Sequence, residues 1–98
     1  MFVIVGLLTI NIRLHGAGSL KDKRKIVKSL IGRLRSRFNV SVSETDRQDS
    51  RQDAVIGVAT VSNDGRFVNQ QLDTILGFVR RDGRFYLGTV EREVYPSG

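Results

Sequence analysis

Two stretches of this sequence restrict its possible folds more than any other feature, because both alternate like strands and are apolar on both faces. In the first, Phe2–Leu14, nearly every even-numbered position is apolar, and the odd-numbered positions are apolar as far as Leu7. The second, Ala54–Val61, is rich in β-branched residues and is again apolar on both faces. A strand with two apolar faces is typical of the middle of a sheet. We therefore predict that these segments are the central strands of one sheet.

Two segments with helical periodicity separate the predicted strands. Ser19 is a good N-cap for a first helix that runs to about Arg37, and Asp22 is placed to complete a capping box. Ser62-Asn63-Asp64-Gly65 supplies caps for a second helix, which ends at Asp82-Gly83. The apolar stripes at helical spacing are Leu20, Val27, Leu30, Ile31, Leu34 and Phe38 in the first helix and Val68, Leu72, Ile75, Leu76 and Val79 in the second.

Two further strands complete the pattern. Asn39–Asp46 alternates with its valines inward, and Arg84–Val94 alternates before a tail, Tyr95–Gly98, that we expect to fray. The order β-α-β-β-α-β over residues 1–98 predicts one α/β (α+β) domain of the ferredoxin-like class. Right-handed crossovers place both helices on one face of a four-stranded antiparallel sheet. The other face, with Val3, Val5 and Leu7, has no helix to cover it.

The uncovered sheet face leads to a prediction about assembly. A large exposed apolar patch is unusual on a monomer, so we expect a homodimer formed through this face. The alternative is that long arginine and tyrosine side chains from the edge strands cover it.

The first predicted helix holds almost all the excess positive charge of the chain. Ser19–Phe38 contains eight basic residues against one acid and carries +7, while the whole chain carries +6. A helix face designed only for solubility mixes charges of both signs, which this one does not. We therefore predict a polyanion-binding surface, with a solvated helix face as the alternative and with a few of the side chains turned toward an acidic hairpin. The predicted contacts are Lys21, Lys23, Arg24, Lys25, Lys28, Arg33, Arg35 and Arg37.

The acidic hairpin is the other charged cluster. Glu44, Asp46, Asp49 and Asp53 lie near each other in sequence, and we expect them to pair with Arg47 and Arg51 or with the first helix of another copy. A less favoured hypothesis is a hydrolase or nuclease that uses Glu44, Asp46 and Asp49 with Mg²⁺.

The remaining polar motifs have ordinary structural interpretations. Gly16-Ala17-Gly18-Ser19 resembles a phosphate cradle but lacks the full spacing, so a flexible turn with a cap is the better interpretation. His15 is interpreted as a turn residue. We predict no catalytic residue, no metal site and no cofactor.

Composition limits the remaining function classes. The chain has no cysteine, which excludes disulfides and thiolate chemistry. The apolar start is interrupted at Asn11 and Arg13, well short of the about 20 residues that a membrane span needs. We predict a cytoplasmic protein with no membrane partner. The predicted central strands carry only Phe2 as an aromatic residue, so RNA bases have no stacking surface there and phosphates are the expected contacts.

The sequence motifs from Ser19 to Glu93 also resemble those of a known family, the YlxP-like family of short bacterial proteins. The resemblance implies a ferredoxin-like fold and, because such genes often lie near those of translation and ribosome-maturation factors, an RNA or ribosomal partner by association. It implies no catalytic residue. The matching motifs are Ser19-Leu20-Lys21-x-Lys23-Arg24, Ser29-Leu30, Arg33-Leu34-Arg35-x-Arg37-Phe38-Asn39-Val40-Ser41-Val42, Glu44-x-Asp46-x-Gln48-Asp49, Gln52, Gly57-x-Ala59, Val61-Ser62-Asn63-Asp64 and Val90-Glu91-Arg92-Glu93.

The resulting hypothesis is a non-enzymatic accessory protein that binds RNA or a ribosomal precursor through the basic face of the first helix. The alternative is a homodimeric protein-interaction or small-ligand-binding module with no nucleic-acid role.

Overall fold

The computed structural model of the chain describes residues 3–97 as four strands and two helices. The strand order in the sheet is β2-β3-β1-β4, and each neighbouring pair is antiparallel. The predicted ferredoxin-like fold is confirmed, including the two central strands. The elements are β1 (Val3–Leu14), α1 (Leu20–Arg37), β2 (Ser41–Asp46), β3 (Asp53–Ser62), α2 (Gly65–Arg80) and β4 (Phe85–Ser97).

The core lies between one face of the sheet and the two helices. Gly6 of β1 shows how closely α2 approaches, because a Cβ atom at this position would lie 2.5 Å from Cγ1 of Val68. Only glycine therefore fits under this part of α2 without movement of the helix. The buried core residues include Leu8, Ile10, Ile12 and Leu14 of β1, Val27, Leu30 and Leu34 of α1, Ala54, Ile56 and Val58 of β3, and Val68, Leu72, Ile75 and Val79 of α2.

Both helices begin at the predicted caps. Oγ of Ser19 accepts a hydrogen bond from the backbone N–H of Asp22 at 3.1 Å. Asp64 caps α2 by accepting from the N–H groups of Arg66 and Phe67 at 2.9 and 3.4 Å. These contacts satisfy N–H groups that have no partner inside the helix. Neither helix within residues 3–97 is long and apolar enough to cross a bilayer.

The end of the chain differs from the prediction. Tyr95–Ser97 belong to β4 and pair with Val3–Val5 of β1, so the segment does not fray. Pro96 is compatible with this pairing because β4 is an edge strand, where the missing N–H group removes no hydrogen bond to a second neighbour. Phe2 and Gly98, which the predictions also included, lie outside the described residues.

The second face of the sheet has an apolar end and a polar end. At one end, Val5 lies between Val61 and Tyr95, and Leu7 lies between Ala59 and Glu93. Val61 is 64% exposed and Val3 is 45% exposed. In the part of the chain that the structure describes, side chains of the edge strands therefore leave these valines open. The alternative prediction, in which long side chains cover the patch, is wrong for them.

A charged contact joins the α2–β4 connection to α1. The guanidinium of Arg84 donates to both carboxylate oxygens of Asp82, at 3.0 and 2.8 Å, and also to Oγ of Ser29 of α1 at 3.2 Å. The hydrogen bonds from Arg84 hold the pKa of Asp82 below its usual value of 3.8. The same pairing raises the pKa of Arg84. The carboxylate therefore stays charged to a lower pH in the folded protein than in the unfolded chain.

The replacement Asp82→Asn is expected to lower the free energy of unfolding near neutral pH by about 1.5 kcal/mol, because it removes charge-assisted hydrogen bonds. Since folding lowers the pKa of Asp82, its contribution is complete above the unfolded-state pKa and disappears as the pH falls through the folded-state pKa. Urea unfolding at about pH 7, 5 and 3 should show the difference between wild type and variant shrinking only at the lowest value. The control is Asp73→Asn, whose exposed pair with Arg92 should contribute less than about 1 kcal/mol. Equal effects of the two variants would contradict this assignment.

Candidate nucleic-acid interface

Four of the predicted basic residues form a continuous surface on α1, which we call the cationic strip: Lys21, Arg24, Lys25 and Lys28. Their spacing of three, four and seven residues places them on one side of the helix, and all four are exposed. None of them pairs with a carboxylate within residues 3–97. The distance along the axis from the first to the last is about 10 Å at 1.5 Å per residue. The strip is thus a rigid row of charges available for an external anion.

The cationic strip borders a groove of about 360 Å³ that reaches the edge strand β2. Val27 and Ile31 contribute apolar surface to this groove, and Glu44 of β2 also lines it. The long lysine and arginine stems can pack over this apolar surface while the charged ends reach the solvent. The groove therefore offers apolar surface beside the charged ends of the strip.

The position of the strip in α1 is unfavourable for the free protein. Lys21 lies in the first turn, where the helix dipole disfavours a cation by a few tenths of a kcal/mol, and the effect fades over the second turn, where Arg24 and Lys25 lie. Repulsion among neighbouring cations adds to this cost. A bound polyanion would reduce both the unfavourable interaction with the helix dipole and the repulsion among the cations, because its negative charges would lie near the positive end of the helix. Stability of the free chain therefore does not explain this charge distribution.

Lys23 is not part of the surface, and the prediction that it contacts phosphate is wrong. Its side chain is fully buried, with Nζ 2.8 Å from Oε2 of Glu44 and a hydrogen bond donated to the carbonyl of Arg47 at 2.6 Å. Oε2 of Glu44 accepts no well-aligned hydrogen bond in the described residues, so charge attraction holds the pair. The spacing explains this position, because Lys23 continues the buried stripe formed by Val27, Leu30 and Leu34.

The three arginines in the second half of α1 make local contacts on other sides of the helix. Arg35 donates to the carbonyl of Val42 in β2 at 2.7 Å. Arg33 and Arg37 both lie over the ring of Phe78, with the guanidinium carbons 5.2 and 5.1 Å from the ring centre. All three remain exposed and can add charge near a bound polyanion, but they do not extend the strip. The eight predicted contacts therefore divide into four strip residues, one buried lysine and three flanking arginines.

The acidic hairpin makes different contacts from those predicted. Glu44 pairs with Lys23 of the same chain, and Asp53 lies 3.6 Å from Arg13. Asp46 accepts a hydrogen bond from the backbone N–H of Arg47 at 2.7 Å, not from its guanidinium. No group of three or more histidines, aspartates or glutamates in the described part of the chain is arranged to hold a metal ion. We expected a few basic side chains of α1 to turn toward this hairpin, and Lys23 does so.

Sequence reasoning missed two features at the opposite end of the second sheet face. The ring of His15 stacks on Tyr86 with centroids 3.7 Å apart, so His15 is more than a turn residue. Arg47 has a positive φ of 63°, the single non-glycine example in the described residues. The pairing of Arg13 with Tyr86 could have indicated the stacking of His15 on Tyr86 once the strand register was known. No sequence signal indicated the positive φ of Arg47.

Comparison with known proteins identifies the family. Residues 5–92 match the family described as "Protein of unknown function (DUF503)", and the chain belongs to this family. It is 38% identical over 66 residues to a Bacillus subtilis (strain 168) protein described as "Uncharacterized protein YlxP", an alignment that covers 67% of this chain and 72% of the relative. The resemblance to YlxP-like proteins is thus confirmed. Neither description names an activity or a ligand.

Proposed function

We propose that this protein is a non-enzymatic accessory protein that binds structured RNA or a ribosomal precursor in the cytoplasm through the cationic strip. One observation carries the proposal: four exposed cations on a rigid helix have no carboxylate partner within residues 3–97. Lysine and arginine recognise phosphates by charge and hydrogen bonding, and neutralised phosphates release counterions. The strip therefore favours a ligand with closely spaced phosphates.

The chemistry of the strip favours contacts with the RNA backbone over contacts with bases. The groove beside it is lined by lysine, arginine, valine, isoleucine and glutamate side chains, and by no aromatic ring among the described residues. Bases stack mainly on aromatic rings, and this groove offers only the guanidinium plane of Arg24, whereas phosphate binding needs only positioned charge. Binding should therefore depend strongly on salt and weakly on sequence.

The proposal is tested by capture from a native bacterial lysate, with RNase-treated and untreated arms. The bait proteins are the wild type, the strip variant Lys21→Glu/Lys25→Glu/Lys28→Glu, and a control with the same charge change, Arg51→Glu/Arg66→Glu/Arg80→Glu. The three control arginines are exposed and lie outside the strip. We expect RNA with the wild type and the control but not with the strip variant. Equal RNA recovery by all three would contradict the proposal, and RNase-resistant capture of an acidic protein would favour a protein partner instead.

We further propose that the apolar end of the open sheet face joins two copies of the chain in a homodimer. A second copy presents the same apolar rows of Val5, Leu7 and Val61, so a two-fold contact would cover both patches at once.

The homodimer proposal predicts that Val61→Glu shifts the protein to a monomer in light scattering at micromolar concentration. A charge in the middle of an apolar contact would be buried without a partner. The control is Phe67→Glu, which changes an exposed apolar residue on α2 and should leave the dimer intact. A wild-type protein that elutes as a monomer would contradict the proposal.

A further inference from the structure

A cleft of about 440 Å³ lies at the polar end of the open sheet face, and it shares no lining residue with the groove beside the cationic strip. Its volume falls within the range of small-molecule sites. It is formed where β1, β3 and β4 meet the β2–β3 connection. The polar and aromatic residues that line it are Asn11, Arg13, Arg47, Asp53, Tyr86 and Thr89.

Tyr86 gives this cleft a flat aromatic wall. Its side chain is 61% exposed, which is unusual for a large ring in a strand. Its ring is stacked on His15 with an angle of 28° between the planes. His15 therefore covers part of the ring, and most of the surface of Tyr86 remains exposed. A rigid exposed aromatic ring is the side chain on which a nucleobase stacks.

Arg47 places a cation in the same cleft at a conformational cost. A φ of 63° is unfavourable for a residue with a Cβ atom, and such residues are found preferentially at functional sites. Three hydrogen bonds hold this conformation: the carbonyl of Arg47 accepts from buried Lys23 at 2.6 Å and from the N–H of Ser50 at 3.0 Å, and its own N–H donates to Asp46. The buried ion pair of Lys23 and Glu44 thus positions the backbone of a cleft residue. The guanidinium of Arg47 has no ion-pair partner among the described residues.

A β-bulge forms the third wall. The register of β4 against β1 shifts between Ile10 and Ile12, so that Gly88 and Thr89 bulge out of the regular ladder. The side-chain amide of Asn11 donates to the carbonyl of Thr89 at 3.0 Å and closes the ladder there. At Gly88 a Cβ atom would lie 3.1 Å from the carbonyl oxygen of Asn11, so a side chain there would require a small shift of the backbone of β1. This wall is therefore backbone without a bulky side chain, and it leaves space for a planar ligand.

From these contacts we propose that the cleft binds a nucleoside phosphate, with the base on Tyr86 and the phosphate on Arg47. The carboxylate of Asp53 and the amide of Asn11 lie in the same cleft and supply hydrogen-bonding groups for the base or the sugar. The ligand is either a free nucleotide or an unpaired nucleotide of an RNA. The inference does not rest on the proposed function, because it uses none of the residues of the cationic strip.

The test follows amide chemical shifts in NMR spectra during titration with nucleoside monophosphates, with inorganic phosphate, and with two RNA duplexes, one blunt and one with an unpaired 3′ nucleotide. The variants are Tyr86→Ala and Arg47→Gly. Glycine adopts the positive φ of position 47 without strain, so this change removes the guanidinium and preserves the turn. The matched controls are Tyr95→Ala, at the apolar end of the same strand face, and Arg51→Ala in the same connection.

We expect Tyr86→Ala and Arg47→Gly each to weaken nucleotide binding by at least about tenfold, and the controls to change it by less than about twofold. If the ligand is a free nucleotide, the monophosphates bind as tightly as the overhang duplex. If it is part of an RNA, the overhang duplex binds more tightly than the blunt one, and Tyr86→Ala removes the difference. The strip variant keeps binding of the monophosphates in both cases. Absence of binding at about 5 mM nucleotide, or equal effects of Tyr86→Ala and Tyr95→Ala, would overturn the proposal.

Discussion

The replacement Lys23→Met is expected to lower the free energy of unfolding by about 3 kcal/mol or more, the largest stability effect that we predict for a single side chain. The change leaves the carboxylate of Glu44, whose side chain is only 16% exposed, without its cation. It also removes the hydrogen bond to the carbonyl of Arg47, whose backbone conformation is unfavourable. An uncompensated charge is far more costly in the protein interior than in water, and the carbonyl of Arg47 keeps only the hydrogen bond from the N–H of Ser50.

A double-mutant cycle separates the ion pair from simple packing. Lys23→Met/Glu44→Met should recover most of the lost stability, because two apolar side chains of similar volume replace the charges. Urea unfolding of the wild type, both single variants and the double variant provides the four free energies. Additive losses, or a loss below about 1 kcal/mol for Lys23→Met, would contradict the role that we assign to this pair.

The largest functional effect is expected from neutralising the cationic strip. Lys21→Gln/Lys25→Gln/Lys28→Gln removes three predicted phosphate contacts. On a duplex, each such contact contributes about 0.9 to the slope with which log K falls against log salt. At about 0.1 M salt this corresponds to a loss of RNA affinity of several hundred-fold. The folded state should not be weakened, because the three lysines make no ion pair within residues 3–97 and Lys21 lies in the first turn, where the helix dipole disfavours a cation.

The matched control is Arg51→Gln/Arg66→Gln/Arg80→Gln, which removes the same charge from exposed positions outside the strip. Filter binding with a structured RNA should show a loss of less than about tenfold for this variant, since only long-range charge is changed. Similar losses for the two triple variants would mean that net charge alone, and not the strip, determines binding.

Most of the fold could be predicted because local pattern and chain topology specify the same structure. The segments with two apolar faces, Phe2–Leu14 and Ala54–Val61, correspond to β1 and β3 in the centre of the sheet. The end of β4 was missed because Tyr95-Pro96-Ser97 lacks a strand pattern of its own. Its pairing with Val3–Val5 is a tertiary effect, and local propensity does not report such effects.

The site was predicted less completely, for two physical reasons. Lys23 was predicted to bind a polyanion because of its charge, although its spacing to Val27, Leu30 and Leu34 places it on the buried side of α1. The cleft with Arg47 and Tyr86 depends on a turn conformation and on pairing between distant segments, which no local pattern encodes. The four strip residues were among those predicted, because the excess of basic residues over the single acid Asp22 is visible in the sequence.

The central claim, that the cationic strip binds the phosphates of an RNA, is tested most directly by the salt dependence of binding. For the wild-type protein and a structured RNA, the plot of log K against log salt should have a slope of about −3 to −4, as four phosphate contacts require. For Lys21→Gln/Lys25→Gln/Lys28→Gln, which leaves Arg24 as the last strip contact, the slope should fall to about −1. A slope near zero for the wild type, or the same slope for the wild type and the variant, would contradict the account.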